Sequence, residues 1–124
     1  MIAYLRAENG GDRVRNVLVD SSNQTYAHAL NLCEVYYDFY RSDGPETALQ
    51  AIRDLEFDGV IPQNEMSASF WQSAGSLKAV RKRISLADCF GLALADRLGG
   101  TLLTADHHEF DVLAWSGHSI RFIR

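Results

Sequence analysis

Three acidic residues of this chain have positions at which they could do chemistry, namely Glu34, Asp88 and Asp106. Asp106 is the most informative of them, because an aspartate that directly follows a buried strand faces the crevice where parallel sheets bind ligands. No histidine or cysteine accompanies the acids at a supporting spacing, and carboxylate oxygens suit hard cations such as Mg²⁺ or Mn²⁺. Together the three acids predict a divalent-cation site.

Each acid also has a purely structural interpretation. Asn31 and Glu34, like Ser85 and Asp88, have the spacing of a capping box, in which the acid satisfies backbone N–H groups at a helix start. Asp106 could likewise cap a loop. The combination favours the cation site, because capping does not require an acid at each strand exit of one sheet.

Short apolar strands separated by helices must position these acids. The strands are predicted at residues 26–30, 57–61, 101–104 and 119–123. Asn31 is predicted to cap a helix over 32–41, and Ser85 to cap a helix over 86–98 that ends at Gly99. Strands joined by helices pair in parallel with right-handed crossovers. The pattern therefore predicts an α/β fold.

Composition limits the class of protein. The chain has 124 residues, of which 47% are hydrophobic, which is enough for one core and a single domain. Its net charge of -4 argues against a generally basic nucleic-acid binder. A local cluster of cations opposes that argument, and it comprises Lys78, Arg81, Lys82 and Arg83. This cluster is either a solvated helix end or a phosphate-contacting patch.

The cysteines and the hydropathy bear on the compartment. Cys33 and Cys89 both lie in apolar sequence surroundings, so we expect two reduced, buried thiols. The first residues contain no apolar run of signal-peptide length, and no later segment approaches the ~18 apolar residues of a membrane span. We therefore expect a cytoplasmic protein that does not insert into a membrane.

Three stretches carry a family resemblance. They read NLCEVYY over residues 31–37, ISLADC over 84–89 and LTADHHEF over 103–110. In this order and spacing they resemble the PIN-domain proteins of the VapC toxin type, and the resemblance covers essentially the whole chain. It implies a three-layer α/β/α sandwich with a central parallel sheet, and a single PIN-like domain over residues 1–124.

The resemblance also implies an activity, which is a divalent-metal-dependent endoribonuclease that acts as the toxin of a type II toxin–antitoxin system. Glu34, Asp88 and Asp106 match the acids that hold one or two Mg²⁺ or Mn²⁺ ions, and Glu109 matches a further acidic position. Thr104 matches a small hydroxyl residue beside the site. The implied partners are an RNA substrate, a cognate antitoxin and a second copy of the chain.

One departure from the family pattern lies at the N-terminus. Family members open with an apolar strand that ends in aspartate, whereas this sequence begins within the helix that usually follows that strand. We therefore expect a weak or inactive nuclease, and expect an upstream extension that restores the aspartate to restore cleavage. The alternative is an impaired PIN-like module that dimerises and binds antitoxin or RNA, and metal affinity discriminates the two.

Four aromatic residues on one predicted helix bear on partner binding. They are Tyr36, Tyr37, Phe39 and Tyr40. Because they spread around the helix, they cannot all face one core. They form either a partner surface, or two core residues and two that are simply exposed.

Overall fold

The computed structural model describes residues 1–107, 110 and 116–124. The helices are α1 Ile2–Leu5, α2 Gly11–Val19, α3 Ala29–Asp43, α4 Pro45–Phe57, α5 Ala68–Val80 and α6 Leu86–Leu98. The strands are β1 Thr25–His28, β2 Val60–Gln63, β3 Leu102–Thr104 and β4 Ile120–Phe122. These elements form two compact units, a first unit Met1–Gln63 and a second unit Asn64–Arg124.

The first unit contains a parallel pair of strands and the helices that connect them. β1 pairs with β2, so that Thr25 lies opposite Val60 and His28 opposite Gln63. Between them, α3 packs against α4. Pro45 opens α4 at a position where its missing N–H costs no helical hydrogen bond. The core of this unit is formed by Ala27, Val35, Phe39, Ala48, Ala51, Leu55 and Val60.

The second unit also contains a parallel pair of strands, but its helices α5 and α6 precede both strands. β3 pairs in parallel with β4, from Leu102 opposite Ile120 to Thr104 opposite Phe122. α5 packs against α6, and the ring of Phe70 meets that of Phe90 edge-on, with centroids 5.7 Å apart. Among its described residues, the buried hydrophobic side chains are Phe70, Ala74, Ile84, Cys89, Phe90, Leu92, Ala93, Leu94, Phe110 and Ile123.

Two predictions are confirmed without adjustment. Both strand pairs are parallel, as the α/β prediction requires, and helices α3 and α4 connect β1 to β2. α6 has the predicted bounds, with Ser85 as its N-cap and Gly99 in the left-handed conformation, at φ +61°, just after its last residue.

In the described residues, no helix is both long and apolar enough to cross a bilayer.

The predicted start of α3 is wrong. The helix begins at Ala29 rather than residue 32, and its N-cap is His28 rather than Asn31. The backbone of His28 is extended, and its Nδ1 accepts a hydrogen bond from the N–H of Leu30 at 3.2 Å. An apolar run of this length does not distinguish a strand from the first turn of a buried helix, so the predicted strand ran two residues too far.

Two further predictions need correction. The second strand begins at Val60, because Phe57 ends α4 and its side chain is 92% exposed. The sequence pattern predicts one strand over 57–61, whereas Phe57 belongs to α4 and Val60 and Ile61 belong to β2. Cys89 is buried as expected, whereas Cys33 is exposed.

Candidate metal-binding site

Asp88 is placed by the N-terminus of α6. The N-cap Ser85 has an extended backbone, and its Oγ accepts a hydrogen bond from the Asp88 N–H at 3.0 Å. The same hydroxyl donates to Oδ2 of Asp88 at 2.7 Å. Ser85 therefore both caps α6 and fixes the carboxylate of Asp88, the third residue of that helix. The Ser-x-x-Asp spacing predicts the cap.

Asp106 is placed by the end of β3. Its N–H donates to Oγ1 of Thr104 at 3.1 Å, which folds the chain back immediately after the strand. The carbonyl of Thr104 in turn accepts from the N–H of Ile123 at 2.9 Å. The hydroxyl residue that the resemblance placed beside the site thus shapes the turn that carries Asp106.

Electrostatics links the two aspartates. The pKa of the Asp88 carboxyl is raised, chiefly because partial burial disfavours its charged form, and the negative charge of Asp106 adds to the rise. The hydrogen bond from Ser85 acts in the opposite direction and lowers that pKa. Asp106 is therefore close enough to Asp88 for the two charges to repel each other, and a bound cation would relieve the repulsion.

This donor set fits a Mg²⁺ or Mn²⁺ ion. Mg²⁺ is commonly held by one or two carboxylates, with waters and substrate phosphates completing its coordination. In residues 1–107, 110 and 116–124, no three His, Cys, Asp or Glu side chains form a group that could hold a metal. The described site is thus a pair of carboxylates in the second unit rather than a closed protein cage.

The remaining predicted acids have different positions. Glu34 lies on α3 of the first unit, and its side chain is exposed. Because α3 begins at Ala29, Glu34 falls in the second turn, and the capping-box interpretation of Asn31 and Glu34 is wrong. Glu109 lies outside the described residues.

The basic cluster divides into cations with different roles. The Lys78 ammonium donates to the carbonyl oxygens of Lys82, at 2.9 Å, and Ile84, at 2.6 Å. Arg81 donates to Oγ of Ser116 at 3.3 Å. Lys82 and Arg83 have exposed side chains. Only part of the cluster is thus a simple solvated helix end.

His107 illustrates a contact that the sequence did not reveal. Its ring stacks on Phe122 with centroids 3.9 Å apart, and its Nε2 donates to the carbonyl of Arg124 at 2.6 Å. The backbone of His107 is helical and its side chain is exposed. Its neighbour His108 lies outside the described residues.

The aromatic residues of α3 divide evenly. Phe39 is buried and Tyr36 packs against the core of the first unit. Tyr37 and Tyr40 are 57% and 50% exposed. Two of the four rings thus belong to the core and two are exposed, which agrees with either interpretation of the exposed pair.

Comparison with known proteins supplies the context for this geometry. The model of the PIN domain family matches residues 1–116. Among solved structures, the chain is similar to one described as "Crystal structure of DNA bound VapBC from Salmonella typhimurium". The TM-score is 0.71 at 16% sequence identity, over 99% of this chain and 91% of that chain. No curated protein sequence matches the chain.

Proposed function

This chain belongs to the PIN domain family, and we propose that it is a divalent-metal-dependent endoribonuclease, the toxin component of a type II toxin–antitoxin system. The observation that carries the proposal is the pair of carboxylates in the second unit, Asp88 fixed by Ser85 at the start of α6 and Asp106 in the turn after β3, with the charge of Asp106 raising the pKa of Asp88. The similarity of fold to a chain of a VapBC complex supports the toxin–antitoxin part. We retain residues 1–124 as a single PIN-like domain.

In this proposal Asp88 and Asp106 hold a Mg²⁺ or Mn²⁺ ion, and Glu34 binds the ion directly or holds its water. Glu109 is the fourth acidic member of the site. When bound, the ion stabilises negative charge that develops on the phosphoryl oxygens and lowers the pKa of its water. The catalytic residues are thus Glu34, Asp88, Asp106 and Glu109.

The neighbours of the acids prepare them for this role. Metal ligands must be deprotonated, and the raised pKa of Asp88 means that a proton competes with the cation. The hydroxyl of Ser85 counters this competition, because its hydrogen bond favours the ionised carboxylate. The contact of Thr104 with the Asp106 N–H keeps the second carboxylate at the end of β3.

The proposed partners are an RNA substrate, a cognate antitoxin and a second copy of the chain. The exposed cations Lys82 and Arg83 can contact RNA phosphates without a basic overall composition. The exposed rings of Tyr37 and Tyr40 are suited to a protein interface, where tyrosine is enriched. We propose that the exposed cations contact RNA and that the exposed tyrosines contact a protein partner.

The second candidate function is a PIN-like module that binds antitoxin or RNA without cleaving it. It is favoured by the small donor set, since the described acids cluster as two carboxylates. Both candidates predict a folded protein. Mn²⁺ affinity and metal-dependent cleavage separate them, because only the nuclease requires both.

The decisive experiment compares cleavage of a structured RNA by the purified chain with Mn²⁺ or Mg²⁺, with and without EDTA. Asp106→Asn is the test variant, and Asp96→Asn is the matched control, because Asp96 is an α6 carboxylate that pairs with His118. We expect at most weak cleavage, which requires the metal, is lost in Asp106→Asn and persists in Asp96→Asn. No cleavage above the Asp106→Asn background would instead favour the binding module.

A further inference from the structure

The connection between α5 and α6 is a short, ordered turn, residues 81–85, which we call the α5–α6 turn. The N–H of Arg81 donates to the carbonyl of Leu77 at 2.8 Å, and the N–H of Ile84 donates to the carbonyl of Arg81 at 3.2 Å. The side chain of Ile84 is only 2% exposed, which anchors the turn in the core of the second unit. The turn ends at Ser85, the N-cap of α6.

Lys78 closes this turn from within the last part of α5. Its half-buried side chain brings Nζ to 2.9 Å from the Lys82 carbonyl oxygen and 2.6 Å from that of Ile84. Hydrogen bonds from an ammonium are charge-assisted and stronger than those between neutral groups. The lysine thus clamps two carbonyls that lie four and six residues further along the chain.

The second of these carbonyls connects Lys78 to the acidic pair. The Ile84 carbonyl belongs to the peptide group that also contains the Ser85 nitrogen, so fixing its direction restricts the backbone of Ser85. The position of Ser85 then sets the hydroxyl that accepts from the Asp88 N–H and donates to the Asp88 carboxylate. A continuous series of contacts joins the Lys78 ammonium to Asp88.

We propose that Lys78 is a positioning residue for the metal-binding carboxylate of Asp88, acting through the α5–α6 turn and Ser85. This inference rests on the proposed function, since it presumes that Asp88 binds a divalent ion. It gives a function to one member of a basic cluster that the sequence alone presents as four equivalent cations. Lys78 contacts neither the ion nor the RNA in this role.

The test replaces Lys78 by methionine, which keeps an unbranched side chain of similar length and removes the donor. Lys82→Met is the matched control, because its side chain is exposed and only its carbonyl takes part in the clamp. Mn²⁺ affinity is measured from the EPR signal of the free ion, with far-UV circular dichroism to confirm folding. Amide hydrogen exchange at Asp88 is measured in EDTA.

We expect Lys78→Met to raise the Kd for Mn²⁺ about tenfold, the lower end of what loss of an outer support of a metal ligand costs. Exchange of the Asp88 amide should become faster, and Lys78→Arg should recover most of the affinity. Lys82→Met should match the wild type in Mn²⁺ affinity and in amide exchange, which are both measured without RNA. If Lys78→Met does not fold, Lys78→Gln replaces it, with the same expected direction.

Two outcomes overturn the inference. The first is wild-type Mn²⁺ affinity in a folded variant without the Lys78 ammonium, and the second is unchanged exchange of the Asp88 amide in that variant. Failure of the proposed function has a different result, because the wild-type chain itself would then not bind Mn²⁺. A loss of thermal stability with unchanged Mn²⁺ affinity would show a purely structural lysine.

Discussion

Two serines occupy the N-caps of consecutive helices in the second unit, and they provide an internal comparison. Ser85 before α6 and Ser67 before α5 have nearly identical backbones, at φ -63°, ψ 157° and φ -62°, ψ 155°. The Ser85 hydroxyl binds both the N–H and the carboxylate of Asp88. Ser67 makes no side-chain cap bond in the described structure, and its hydroxyl donates to Glu65 at an exposed site. Replacing each serine by alanine should therefore have very different effects.

The magnitudes follow from the contacts that are lost. Ser85→Ala removes an N-cap bond, which costs about 1 kcal/mol. It also removes a hydrogen bond to a half-buried carboxylate, which costs about a further 1.5 kcal/mol. Ser67→Ala removes an exposed contact, and changes of that kind cost at most about 0.5 kcal/mol. At roughly 4 °C per kcal/mol for a chain of this size, the expected losses in Tm are about 10 °C and at most about 2 °C.

The assay is urea and thermal unfolding at pH 7 in EDTA, followed by far-UV circular dichroism, with Ser85→Thr as a variant that retains the hydroxyl. Equal losses for the two alanine variants would refute this reasoning. A second readout concerns the pKa of Asp88, which should rise further in Ser85→Ala because the hydrogen bond that lowers it is gone. The pH midpoint for Mn²⁺ binding should then move upward in that variant.

Further predictions concern Asp88 and the start of α3. The folded-state pKa of Asp88 lies above its ordinary value of 3.8, so its ionisation costs stability at neutral pH, and the cost disappears as pH falls. In EDTA, Asp88→Asn should therefore be more stable than the wild type at pH 7, with a smaller difference near pH 4, measured by urea unfolding. Mn²⁺ at one hundred times its Kd should stabilise the wild type by about 2.7 kcal/mol and leave Asp88→Asn unchanged. His28→Leu should cost about 2 kcal/mol in urea unfolding, because it removes the buried N-cap acceptor of the Leu30 N–H.

Elements with strong local signals were predictable from the sequence. α6 was placed correctly because Ser85 and Gly99 determine its ends through short-range hydrogen bonds and a left-handed residue. The start of α3 was not, because His28 is an unusual N-cap whose role depends on its burial. Asp88 and Asp106 are proposed as site residues from their places at a helix start and a strand end. The effect of the Asp106 charge on the pKa of Asp88 depends on the tertiary structure, which sequence spacing does not give.

The basic cluster shows why side-chain roles are harder to predict than elements. Lys78 and Lys82 are both lysines near a helix end, yet one ammonium binds two carbonyls and the other side chain is exposed. The acceptors are backbone carbonyls that follow α5, so no pattern of residue types predicts these hydrogen bonds. The exposure of Cys33 is not predictable from the sequence either, because its neighbours in sequence are apolar although the residue lies exposed on α3.

Asp88 and Asp106 bring two negatively charged carboxylates together in the second unit. Partial burial and the charge of Asp106 both oppose ionisation of Asp88, and in the described part of the chain the hydroxyl of Ser85 favours it. A hydroxyl can orient a carboxylate, but it brings no positive charge to offset two negative ones. A monovalent cation would still leave one net negative charge, whereas a divalent cation neutralises both. Among simple cations, Mg²⁺ and Mn²⁺ therefore match this pair in charge as well as in ligand type, and Na⁺ or K⁺ should not replace them.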